Sequence, residues 1–401
     1  MCCRPWKTRR VLAAVLVICV VAAVPTSVAE DKPAAVPSVP YAAWENGPGT
    51  DADFFPIAVW LQAPRNAPKY QAIGINLYVG LWKGPTQEQL AELKKHGMPV
   101  ICSQNDYARG HLDEKIIVGW MHGDEPDNAQ SLGPGKGYGP PIPPETMIAD
   151  YRRIKVNDPT RPVLLNLGQG VAWDGWHGRG VRTNHPEDYP QYAQGCDVAS
   201  FDIYPAVHSK PEIAGQLWYV ARGVERLRQW TAGRKVVWNC IECTRISNPN
   251  VKPTPQEVEA EVWMSIVHGS QGLIYFCHQF QPTFIEAGLL ADPQMAEAVG
   301  RINRQIHSLA PVINGPTIER GATAEPTLGS RIECLVKRTD EAIYVFAVNM
   351  ERKPEKPEIT VRGAKDGTAE VLFEDRTVAV HNGRIVDQFA PYGVHRYKIT
   401  R

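Results

Sequence analysis

Apolar runs of strand length alternate with stretches of helical periodicity from Phe55 to Ala310, and this alternation confines the chain to parallel α/β units. Eight strand candidates emerge: Phe55 to Trp60, Ile75 to Gly80, Pro99 to Ser103, Ile116 to Gly123, Val163 to Leu167, Val198 to Ile203, Val236 to Ile241 and Leu273 to Cys277. The helical runs between them carry conventional ends. Thr86 precedes QEQLAELKKH and Gly97 closes it, Pro144 opens ETMIADYRRIKV, and Thr254 with Pro255 starts QEVEAEVWMSIV. Asp292 and Pro293 start a longer run, Ile213 to Thr231 reads as one amphipathic helix, and the third and fifth connections hold little helix signal. Eight such units over about 260 residues match a (β/α)8 TIM barrel in count and length. The competing doubly wound sheet lacks support, because no G-x-G-x-x-G turn follows the first strand.

After Pro316 the texture changes. RIECLVKR, AIYVFAVNM, EITVRG, AEVLFED and VHRYKIT are short alternating runs parted by Gly, Asp and Pro, which predicts a small antiparallel β-sandwich domain. At the other end, Arg4, Lys7, Arg9 and Arg10 precede the apolar run Val11 to Val24, and Ser27, Val28 and Ala29 supply small residues, the pattern of a cleaved signal peptide. Cys19 follows Ile18, so the small residue expected before a lipid-anchored cysteine is missing. The expected organisation is a signal peptide at 1–29, a Pro/Ala-rich linker at 30–53, the catalytic barrel at 54–315 and the β domain at 316–401. A secreted or periplasmic protein follows, free of the membrane once the signal is cleaved, with an uncleaved signal anchor as the alternative.

Composition narrows the partners. With 43 Lys and Arg against 43 Asp and Glu, the chain has no electrostatic case for nucleic acid or an anionic surface. Three of the nine cysteines fall in the signal segment; the six at 102, 196, 240, 243, 277 and 334 mostly lie within apolar runs, where buried thiols and disulfides are both open.

In a barrel of this kind chemistry sits at the C-terminal ends of the strands. Those ends carry Trp60 and Gln62, Asn105, Asp124 and Glu125, Asn166, Asp202 and Tyr204, Glu242, and His278. Such a rim of hydrogen-bonding groups and aromatics suits a sugar, which offers hydroxyls at its edge and C–H groups on its faces. Glu125 ends the run IIVGWMHGDEPD and Glu242 the run KVVWNCIECT, two carboxylates on strands four and seven. Here the chain resembles clan GH-A, the retaining glycoside hydrolases whose acid/base closes strand four and whose nucleophile closes strand seven.

The resemblance implies Glu125 as acid/base, Glu242 as nucleophile held by Tyr204, and a carbohydrate substrate cleaved by double displacement without a cofactor. The expected substrate-binding residues are read from the strand ends, Trp60, Gln62, Asn105, Asp124, Asn166, Asp202, Tyr204 and His278, and from the insertion after strand five, Trp173. Asp124 departs from the clan, which has Asn before the acid/base, and His278 stands where an aromatic usually closes strand eight. An inverting hydrolase, and a non-catalytic carbohydrate-binding or scaffold protein on a degenerate barrel, are the alternatives.

Other motifs read as structural. Strand alternation puts His122 and Asp124 on one face and Glu125 on the other, and no H-E-x-x-H occurs, so no metal site is expected. Cys240 and Cys243 lack a second pair for zinc, and GPGKGYG lacks the ending of a phosphate loop. The insertion VAWDGWHGRGVRTNH at 171–185 is a candidate specificity loop: Trp173 and Trp176 offer stacking surfaces, and Arg179 and Arg182 offer charge for an acidic glycan.

Overall fold

A computed structural model describes residues 40–325 and 331–401. The expected signal peptide lies outside the described residues. A parallel sheet occupies the first part of the chain: β1 Ile57–Trp60, β2 Leu77–Val79, β3 Val100–Ser103, β4 Ile117–Met121, β5 Val163–Leu167, β6 Val198–Phe201, β7 Val236–Val237, β8 Asn239–Glu242 and β9 Leu273–Phe276. Their order is β7-β6-β5-β4-β3-β2-β1-β9-β8. Because β7 and β8 are separated only by Trp238, they are two pieces of one barrel strand, and the ring closes through them. Eight sequence runs thus become an eightfold barrel, with the seventh strand broken.

Two cores follow from the alternation of side chains. Ala58, Trp60, Leu77, Val79, Ile101, Met121, Leu164, Val236, Trp238, Cys240 and Ile274 fill the interior. Their neighbours, such as Ile57, Val59, Val100, Ile117, Leu165, Val237 and Ile241, face the helices. The floor is sealed by a segment expected to be linker. Tyr41 inserts beneath the ring, accepting the Trp238 indole N–H at 2.7 Å and donating to the Gln271 carbonyl at 2.7 Å. Burial pushes its phenol well above the usual range.

Capping chemistry sets the helices. Thr86 and Thr254 each form a full capping box, with Gln89 before α2 (Gln87–Lys95) and with Glu257 before α7 (Pro255–Val267). Helix α8 (Pro293–Ile313) is capped by Asp292, and α4 (Pro144–Asn157) opens on its proline. The run from Ile213 is shorter than expected: α6 spans Trp218–Trp230, after a turn around the left-handed Gly215. Short helices α1 (Ala67–Ala72), α3 (Asp106–Arg109) and α5 (Tyr189–Tyr192) fill the remaining connections.

The C-terminal part is an antiparallel sheet of eight strands, β10 Ala322–Glu325, β11 Ile332–Arg338, β12 Ala342–Asn349, β13 Glu358–Val361, β14 Gly367–Val371, β15 Arg376–His381, β16 Arg384–Val386 and β17 Val394–Thr400, in the order β10-β13-β16-β15-β14-β17-β12-β11. Three of them, β10 (Ala322–Glu325), β15 (Arg376–His381) and β16 (Arg384–Val386), were not among the expected runs, being short or largely exposed. The sheet curls around Val345, Ala347, Ile359, Val371 and Tyr397. Its other face joins the barrel core through Phe346 of β12 (Ala342–Asn349), 5.2 Å from Trp263 of α7, and through Arg396, paired with Glu259 at 2.7 Å. The six described cysteines are unbridged, and among the described residues no helix is long and apolar enough to cross a membrane.

Candidate active site

Three carboxylates converge above β4 and β6. Strand β4 ends at Met121, and the backbone then turns so that Glu125 adopts a left-handed conformation, φ 44°. A non-glycine residue there is strained, and such strain persists only where the surroundings enforce it. The turn breaks strand alternation and brings both Asp124 and Glu125 toward Asp202, correcting the expectation that they occupy opposite faces. His122 stays on the outer side, its Nε2 2.8 Å from the Gly195 carbonyl.

Gly168, just past β5, leaves the space this needs. A Cβ added there would stand 2.9 Å from Oε1 of Glu125 and 2.8 Å from the Asn128 amide. Asp127 fastens the same corner, accepting from the Gly168 N–H at 2.9 Å and the Tyr189 hydroxyl at 2.9 Å. Asp127 is the last residue of the D-E-P-D stretch and was not among the expected site residues.

Electrostatics separates the three acids. Burial, then the negative charges of Asp202 and Asp124, hold Glu125 protonated well above the carboxylate range. Burial and the Asp124 charge raise Asp202 to about 7, while hydrogen-bond contacts with Glu125 and Tyr204 pull the other way. Burial also lifts Asp124, but a 3.0 Å hydrogen bond from Asn166 limits the rise to about 6. Asp124 sits among densely packed groups in the cup yet keeps surface open to solvent, and Glu125 and Asp202 keep less. The Tyr204 hydroxyl and Oδ1 of Asp202 lie beside one another, buried, and neither has a partner of good hydrogen-bond geometry.

Glu242, at the end of β8, has other partners. It has no exposed surface, and its two oxygens accept the backbone N–H groups of Ala206 at 2.6 Å and Val207 at 2.9 Å. The charged groups that govern it are Glu261 and Glu257 of α7, whereas those governing Glu125 are Asp202, Asp124 and Asp127. Burial raises Glu242 to about 7 and Glu261 well above the carboxylate range. Neither oxygen of Glu261 meets a donor of good geometry, so the pair is arranged to share a proton. These two amide contacts fasten the β6–α6 loop to the end of β8.

Several rim residues are likewise committed to structure. The Asn105 carboxamide caps α3 through the Ala108 N–H and donates to the Pro85 carbonyl. Gln62 donates to the carbonyls of Trp60 and Glu286 and accepts from Tyr70. His278 is buried beside it, and Trp60 is enclosed in the barrel core. Trp173 does stand at the rim, partly exposed, with its ring 5.9 Å from Trp176 and 5.7 Å from His208. Arg179 and Arg182, candidates for an acidic glycan, are both spent on Asp188. Asp174, paired with Arg226 and Arg222, ties the insertion to α6.

Among the described residues no cluster of His, Cys, Asp and Glu is arranged to hold a metal. The arrangement can do proton chemistry: a neutral acid, an acid that ionises near neutrality, and a solvent-facing carboxylate share one cup.

This is a (β/α)8 barrel carrying a C-terminal antiparallel β domain. No model of a known protein family matches the sequence, and no curated protein matches it. Solved structures do share the fold. An alpha-amylase from Geobacillus thermoleovorans complexed with acarbose superposes with a TM-score of 0.53 at 10% identity, covering 87% of this chain and 98% of that one. A maltogenic alpha-amylase from Thermotoga neapolitana gives 0.52 at 8%, covering 87% and 99%. A putative alpha-galactosidase from Bacteroides fragilis gives 0.53 at 9%, covering 87% and 80%. At these identities the likeness is one of fold.

Proposed function

We propose that the protein is an exported glycoside hydrolase with Glu125 as its general acid. One observation carries the reading: within a cup at the C-terminal ends of the strands, a carboxyl kept protonated by burial adjoins one that ionises near pH 6 and faces solvent. Environments that push carboxyl groups apart in this way assign the acid and the base. Glu125 donates its proton to the departing glycosidic oxygen. Asp124, kept ionised by Asn166, carries the negative charge that an oxocarbenium-like transition state requires and activates the attacking water. Asp202, within reach of both, holds the proton of Glu125 in place by its charge and hydrogen bond. The basic and apolar N-terminal stretch supports export, and the shared fold of the amylases and the galactosidase is consistent with a carbohydrate substrate.

Double displacement through Glu242 would require that carboxylate to leave two backbone amides and emerge from full burial, which speaks against it. The same sequestration favours a second reading, a carbohydrate-binding protein on a barrel without turnover. Release of reducing ends from a panel of bacterial, algal and plant polysaccharides separates the two. Activity lost in both Glu125→Gln and Asp124→Asn supports the assignment; full activity in Glu125→Gln sinks it. NMR of the first-formed anomer then decides stereochemistry: carboxyl groups about 5 to 5.5 Å apart retain configuration, and those roughly 6.5 to 9.5 Å apart invert it.

A further inference from the structure

An aromatic series leads out of the cup. Tyr204, beside Asp202, has its ring 5.1 Å from Phe276 at the end of β9. Phe276 is 6.0 Å from Phe280, and Phe280 is 5.6 Å from Phe284. Exposure climbs along the series: Tyr204 is 6% exposed, Phe276 partly so, Phe280 45% and Phe284 61%. His278 backs the outer rings, with its plane 17° from each of them.

The outer pair sits on a braced hairpin. Gln279 and Ile285 exchange two backbone hydrogen bonds of 2.9 Å, and the Phe280 N–H donates to the Arg245 carbonyl at 2.9 Å. Two exposed phenyl rings on a fixed loop cost solvation without contributing to a core, and adjacent exposed aromatics of this kind mark binding surfaces.

We infer that Phe280 and Phe284 form a distal subsite that stacks on the C–H faces of sugar rings in an extended glycan whose scissile bond lies at the carboxylate cluster. Their continuity with the cup, through Phe276 and Tyr204, selects a sugar chain as occupant over an unrelated protein partner. The two outer rings, tilted 33° to each other with centroids 5.6 Å apart, offer adjacent apolar faces to neighbouring sugars of a polysaccharide. The inference rests on the glycosidase reading and deepens it: the substrate is a chain of several residues rather than a single terminal sugar.

The test measures binding apart from turnover. In a Glu125→Gln background, calorimetric titration with maltohexaose, cellohexaose, xylohexaose and mannohexaose, each beside its disaccharide, identifies the chain that binds. Phe280→Ala/Phe284→Ala is expected to weaken hexasaccharide binding on the order of tenfold with disaccharide affinity unchanged, and Phe280→Tyr/Phe284→Tyr to restore it. In the otherwise wild-type enzyme the alanine pair should raise KM for the hexasaccharide and leave cleavage of p-nitrophenyl monoglycosides untouched. Equal loss for disaccharide and hexasaccharide, no loss for either, or no hexasaccharide bound at all overturns the subsite. Catalysis lost in Glu125→Gln with no chain-length effect would leave the acid standing and remove only the platform. Hexasaccharide binding without any cleavage would do the reverse.

Discussion

Replacing Glu242 with Gln separates a nucleophile from a clamp, because the two roles predict different dependences on pH. In the folded protein burial raises this carboxyl from 4.5 to about 7, which corresponds to about 3 kcal/mol of preference for the protonated form. A raised pKa means that the folded chain binds more protons than the unfolded one between those values. The stability that Glu242 contributes is therefore fully present below about 4.5 and lost as pH rises through about 7.

Glutamine is neutral throughout. Its carbonyl can accept one of the two amides of Ala206 and Val207, while its NH2 group opposes the other, at a cost of about 1–3 kcal/mol. At pH 5 Glu242→Gln should thus be the less stable protein. By pH 8 the wild type has lost its advantage, and the difference in unfolding free energy should have moved toward the variant by about 3 kcal/mol. Asp124, Glu125 and Asp202 titrate in both proteins and cancel, whereas Glu261 is relieved of the Glu242 charge in the variant, which moves the difference in the same direction. Urea unfolding at pH 5, 6, 7 and 8 provides the readout. Parallel stability curves for the two proteins would refute the reasoning. A variant with unaltered stability at every pH and no turnover would return Glu242 to the chemistry.

Other outcomes follow from the same geometry. Glu125→Gly should abolish hydrolysis yet raise stability by about 1 kcal/mol or more, since glycine accepts the left-handed backbone freely; a lower melting temperature would contradict the strain argument. Asn166→Ala removes the hydrogen bond that keeps Asp124 near 6, so the acid limb of the kcat/KM profile should move to higher pH, and an unmoved limb would exclude Asp124 as the group that must ionise. Tyr41→Phe strands the Trp238 N–H and the Gln271 carbonyl, costing about 1–3 kcal/mol for each buried group left unpaired. Because the floor is remote from the cup, kcat should not change, and a lowered kcat would show that the two ends of the barrel are coupled.

The barrel was legible because its signals are local and repeated. Apolar runs, capping boxes at Thr86 and Thr254, and prolines at helix starts each act within a few residues. The carboxylate cluster was legible in part, since Asp124, Glu125, Asn166, Asp202 and Tyr204 all sit at strand ends and a barrel gathers strand ends. What escaped was the direction in which side chains point. Glu125 faces the cup only because the backbone turns left-handed, and strand periodicity says nothing of that. Glu242 occupies a strand end as well, but whether it meets substrate or two loop amides depends on residues 206 and 207, far away in sequence. Asn105 and Gln62 look like rim ligands in sequence and are consumed by a helix cap and by carbonyls, partners visible only once the loops have folded. The unexpected strands β10, β15 and β16 are short or exposed and lack an apolar pattern long enough to register.

The broken seventh strand has a mechanical consequence. On one side, β7 is paired to β6 only through Val236 and Val237; on the other, β8 is paired to β9 from Asn239 to Glu242. Beyond the last rung the wall is fastened by a side chain, the Glu242 carboxylate on the amides of Ala206 and Val207. A cylinder fastened by so few side-chain contacts, these and the Ser247 hydroxyl on the Val207 carbonyl at 2.8 Å, opens there first, so the amides around this joint should exchange with deuterium ahead of the rest of the ring. Any motion that widens the mouth for a long guest would then hinge on a latch whose grip follows acidity.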